Sequence, residues 1–145
     1  MTVLEKIQRL YECYLEQAHQ VEQERNPLDG ILGFGTKSAD APCHDQFIKA
    51  MEILLNSVAG ENLNSNELRE VLAYIFQAPK ENQKPLAAYW MLIAVHGQTI
   101  DLIKNLDRED AGTLWAEYKR MYRHWDRLPA QARVLAALDR ARKSK

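Results

Sequence analysis

The stretch L-A-A-Y-W-M-L-I-A-V, residues 86–95, decides how the rest of the chain is read. It is apolar on nearly every side of a helix, and a helix of that kind is normally a central one, surrounded by others. It is too short to cross a bilayer, which takes about 20 apolar residues. The expectation is therefore a core helix over about residues 84–105, with Pro85 in its first turn, where a missing N–H does no harm.

Working outward, every other regular segment has helical spacing. Leu4, Ile7, Tyr11, Tyr14, Leu15, Ala18 and Val21 recur at intervals of three and four, which predicts a first helix from Val3 to Glu22 that Asn26-Pro27 ends near Arg25. A second helix begins around Asp40 to Cys43, with Asp40 as cap and Pro42 in its first turn, and turns Phe47, Met51, Leu54, Leu55 and Val58 inward. Asn64 or Ser65 caps a third, which Ala78-Pro79 stops. Asp107 caps a fifth carrying Leu114, Trp115, Tyr118, Met121, Tyr122 and Trp125, and after Leu128-Pro129 a last helix presents Val134, Leu135 and Leu138. No run alternates with period two for long enough to make a strand, and no signature recurs as in a helical repeat array. The fold class is all-α: a compact bundle of five to six helices forming a single domain over residues 1–145.

Composition agrees with a folded, soluble chain. Of 145 residues 46% are hydrophobic and 27% charged, with 6 Gly and 5 Pro. The N-terminal MTVLEKIQRL mixes charges among its apolar residues and lacks the unbroken apolar core of a secretory signal, so a cytoplasmic location and no membrane partner are expected. Two cysteines, Cys13 and Cys43, are too few for a disulfide scaffold and form no CxxC pair; Cys13 is expected as a small buried or half-buried residue. Net charge is −1, yet it is unevenly spread: from Lys119 onward the chain carries +7, and before it −8. The basic C-terminal segment is a candidate surface for nucleic acid or another acidic partner, although cations near the end of a helix are also favoured by its dipole.

Candidate chemistry gathers where the second helix begins. Cys43 lies in its first turn, where helix N–H groups favour a thiolate, but Asp40 and Asp45 oppose one. Adjacent residues on a helix diverge by about 100°, so His44 is not a ready-made base for Cys43. His44 shares a face with Phe47, Met51 and Leu55, and His96 lies on the central helix with Gly97 beside it. If those helices are neighbours, His44 and His96 with Asp45 or Cys43 form a candidate site for zinc or another divalent transition metal. Glu16-x-x-His19 has the spacing of carboxylate-bridged di-metal bundles, but the chain has no second copy of it. Gly30, Gly33 and Gly35 sit in a long loop that matches neither GxGxxG nor a P-loop. His124, between Arg123 and Trp125, reads as a surface residue, and the Trp115, Tyr118, Tyr122, Trp125 cluster as core or as an interface.

No complete catalytic constellation is visible. The leading functional expectation is a non-enzymatic interaction protein that acts through a helical surface on a protein partner or on itself, with no cofactor. The alternative is a metal-binding or metal-dependent bundle.

Overall fold

The computed structural model describes residues 2–24, 41–123 and 128–144. Six helices are described: α1 (Val3–Glu24), α2 (Pro42–Ala59), α3 (Ser65–Glu81), α4 (Leu86–Ile103), α5 (Arg108–Met121) and α6 (Pro129–Lys143). No strand occurs among the described residues. The all-α bundle read from the periodicity is what forms. Asp40, the Gly30–Gly35 loop, His124 and Trp125 lie outside the described residues.

The inward stripes meet in one apolar core. Ile7, Tyr11 and Tyr14 of α1 join Phe47, Met51 and Leu55 of α2, Leu72, Ile75 and Phe76 of α3, and Ala88, Leu92 and Val95 of α4. α5 and α6 form an antiparallel pair that closes over the other side and adds Leu114, Tyr118, Val134 and Leu138. Cys13, on α1, points to solvent rather than into the core, because it falls outside the Tyr11–Tyr14–Ala18 stripe.

Two helices begin where their caps predict. Asn64 Oδ1 accepts from the N–H of Glu67 at 2.8 Å, and Asp107 Oδ1 accepts from the N–H of Asp110 at 2.9 Å. These two helix starts are also tied together. Ser65 Oγ accepts from the N–H of Asp107 and donates to the buried Asp110 carboxylate, which Arg69 pairs at 2.9 Å.

Three expectations change. Pro79 does not stop α3, which runs two residues further to Glu81, because a proline in the last turn removes a single bond and leaves the following residues free to stay helical. The fifth helix ends at Met121, well before Leu128-Pro129, where Tyr122 leaves helical geometry.

The third concerns α4. It begins at Leu86, tightens into a 3-10 turn over Val95–Thr99, and resumes as α-helix over Ile100–Ile103. Thr99 Oγ1 donates to the His96 carbonyl at 2.7 Å, a back-bond that competes with the α-helical ladder at that place. Gly97 faces α6, where a Cβ at that position would meet the Ala130 Cβ at 3.5 Å, an ordinary contact. Nor is α4 surrounded. Its 18 residues have a mean hydropathy of 1.3, long and apolar enough to pass as a membrane span on length and composition, yet only 50% of them are buried within the fold. Leu86 is 62% exposed, Ala94 is exposed, and Trp90 is half-buried.

Replacing either cap, Asn64→Ala or Asp107→Ala, should lower stability by about 1 kcal/mol in a urea titration. Ile53→Ser should change it little, because Ile53 is 71% exposed.

Candidate functional site

His96 enters the core with both ring nitrogens engaged. Nε2 lies 3.1 Å from the Ile75 carbonyl, and Nδ1 lies 2.9 Å from the Tyr118 hydroxyl. A carbonyl only accepts, so Nε2 carries the proton; Nδ1 then accepts from Tyr118 O–H. Burial lowers the His96 pKa to about 3, a fall that the bond to Ile75 only partly offsets. The ring is neutral at ordinary pH, enclosed edge-on by Phe76, Tyr118 and Tyr122.

The Ile75 carbonyl needs this donor for a reason written in the sequence. In α3 its helical partner would be the N–H four residues later, and that residue is Pro79, which has none. His96 supplies the missing bond from the neighbouring helix. One residue on, the Tyr122 hydroxyl donates to the Phe76 carbonyl, and Lys80 Nζ lies 5.0 Å over the Tyr122 ring. Burial also raises the Tyr118 pKa, and the side chain of Gln131 lies near enough to offset part of that rise, although its Nε2 makes no bond at normal hydrogen-bond distance.

His44 belongs to a second cluster. It is buried at the start of α2, where its Nδ1 pairs with the Tyr14 hydroxyl of α1 at 2.6 Å. The Tyr14 ring stacks on Phe47 with centroids 4.2 Å apart. Burial raises the Tyr14 pKa, with the neighbouring Cys43 adding to it. Cys43 is buried as well, and burial pushes its thiol up against the opposing pull of two backbone N–H groups in its own helix turn. The expected thiolate-favouring position therefore holds a thiol.

The two histidines are thus used separately. α2 and α4 are neighbours, tied by Gln98 Nε2 donating to the Ile48 carbonyl at 3.2 Å, but each histidine ring meets its own tyrosine. Cys43 and His44 lie together beside Tyr14, Asp45 is exposed, and His96 lies among Tyr118, Phe76 and Ile75. Glu16 and His19 are exposed on α1. Among the described residues no three His, Cys, Asp or Glu side chains come together as a set able to hold a metal ion.

Of the aromatic cluster, Tyr118 and Tyr122 are core, whereas Trp115 is half-buried under cations: Arg142 lies 3.8 Å and Lys119 4.9 Å from its ring centre. Sequence reasoning missed the pairing of Pro79 with His96. Its signal was present, since a proline inside a helical pattern always frees the carbonyl four residues earlier.

No protein-family model, no curated protein and no solved structure matches the chain.

Two outcomes follow for His96. His96→Ala should cost about 3 kcal/mol or more, because it strips a buried carbonyl and a buried hydroxyl of their partners and leaves a cavity. In a Pro79→Ala background, where residue 79 regains an N–H for Ile75, that cost should shrink by about 1 kcal/mol or more in a double-mutant cycle of urea titrations. The pH dependence has a defined sign. The folded-state pKa lies below the ordinary value of about 6.5, so between about pH 3 and 6.5 the unfolded chain binds the extra proton and stability falls as pH falls. The slope from this group approaches about 1.4 kcal/mol per pH unit. His96→Gln should flatten it, as followed by thermal melts across that range.

Proposed function

We propose that the protein is a non-enzymatic interaction module of the cytoplasm that associates with a second copy of itself through the outward face of α4. The observation that carries this reading is the apolar exposure on that helix. Leu86, Trp90 and Ala94 follow one another at four-residue spacing, with Leu86 62% exposed, inside a run of fifteen uncharged residues from Leu86 to Ile100. Trp90 is not part of the apolar core; its ring contacts Tyr89 alone among the described aromatic residues, with centroids 5.1 Å apart. Tryptophan is among the residues that most often anchor interfaces. A two-fold contact brings a surface against itself, and a face without charge meets its own copy with no like-charge repulsion. The stripe is short, about three helical turns, so the association is a weak one, well below the roughly 800 Å² per partner of standard stable interfaces. The exposed free thiol of Cys13 fits a reducing compartment.

Sedimentation velocity over a concentration series tests this. The wild type should show concentration-dependent association, and Leu86→Glu should weaken it at least tenfold, about 1.4 kcal/mol. Ile53→Glu, at a more exposed but isolated apolar residue of α2, should leave it unchanged. A wild type that stays monomeric at the highest concentration, or equal effects of the two variants, would reject the reading.

A further inference from the structure

A surface cleft lies elsewhere, where the turn between α4 and α5 meets the last two turns of α6. Two adjoining hollows, about 710 and 270 Å³, share Leu106, Ala141 and Ser144 and so make one cleft. Its floor is apolar, formed by Leu106, which is 7% exposed, with Ala137 and Ala141. Its rim is charged: Lys104, Arg108, Arg140 and Arg142 against Asp107 and Glu109.

Those charges are not equally free. Arg142 is held by Asp139 at 2.6 Å and lies on Trp115, while Asp107 is occupied in capping α5. Lys104 reaches Asp101 at 3.3 Å, but both side chains are largely exposed, and such a pair contributes little. Arg108 and Arg140 are exposed and make no ion pair among the described residues. With Lys104 they leave the rim positive against the single uncommitted acid, Glu109. The cleft also adjoins the first turn of α5, whose dipole adds to the attraction for negative charge.

We infer that this cleft receives a short acidic segment of a partner protein, with one apolar side chain seated over Leu106 and carboxylates meeting Lys104, Arg108 and Arg140. The inference uses a surface distinct from the α4 stripe and stands apart from self-association. The apolar floor suits a peptide side chain of leucine size. Nucleic acid fits less well, because single-stranded binding relies on open aromatic faces and the aromatic ring of this region, Trp115, is covered by its own Arg142 and Lys119.

Fluorescence anisotropy tests this with a labelled peptide of glutamates around one leucine, read against the full chain at physiological salt. Binding should weaken as salt rises. Arg108→Ala combined with Arg140→Ala, both exposed and harmless to folding by circular dichroism, should weaken it at least tenfold, and exchanging the leucine for serine should do the same. Leu86→Glu should leave peptide binding intact, which separates this result from that of the α4 contact. The inference is overturned if the wild type does not bind the peptide, if the double variant binds it equally well, if the serine peptide binds as tightly, or if oligouridine RNA binds more tightly than the peptide.

Discussion

A carbonyl with no partner in its own helix organises the centre of this protein. Pro79 lies in the last turn of α3 and leaves the Ile75 C=O without its i+4 donor, in a place that is fully buried. An unsatisfied buried carbonyl costs about 1–3 kcal/mol, and water has no access to it. The only remedy is a donor from another element, and His96 is that donor. Once Nε2–H is committed to Ile75, Nδ1 must be an acceptor, which selects a hydroxyl at Tyr118 rather than a carbonyl or a carboxylate. The tautomer of one ring thus propagates a requirement from α3 through α4 to α5.

The same requirement helps to explain the break in α4. The 3-10 turn over Val95–Thr99 carries His96 at the place where its ring reaches α3. A second polar tie stands at the other end of α3. There Ser65, Asp110 and Arg69 lock the start of α3 to the start of α5. α5 is consequently tied to α3 at both ends, by Ser65 and Asp110 at one and by the Tyr122 hydroxyl on the Phe76 carbonyl at the other, while the Tyr118 hydroxyl holds His96 of α4. Polar bonds with defined donors and acceptors set the register, while the apolar stripes supply the burial.

Most of the helices were legible because they carry a three-and-four period and recognisable starts: Asn64 and Asp107 as caps, and Pro42, Pro85 and Pro129 at or just before the first turns of α2, α4 and α6. What the period does not encode is which faces of an all-apolar helix find neighbours. From Leu86 to Val95 the sequence offers apolar residues in every direction, so it gave no hint that one sector would remain in solvent. Among the described residues the candidate ligands form no group of three, for a related reason. His44 and His96 each sit on an inward face, as the spacing indicated, but a face specifies a direction and not a partner. Each met a tyrosine first, and the network at His96 arose from Pro79, seventeen positions earlier in the chain and on another helix.

The exposed sector of α4 differs in kind from other apolar residues at the surface. Ile53 is 71% exposed, yet it stands singly among Lys49, Glu52, Asn56 and Ser57, and isolated apolar residues of that sort are ordinary. α4 already places two faces inside: Ala88, Leu92 and Val95 in the core cluster, and Tyr89, Ile93 and His96 beside it. Folding therefore makes little demand on Leu86 and Ala94, and buries Trp90 only in part. A polar side chain at Leu86 or Ala94 would leave both buried faces intact and would lower the mean hydropathy that brings this helix to the threshold of a membrane span. Among the described residues, three apolar side chains in register, one of them a half-buried tryptophan, stand on this outward sector of α4.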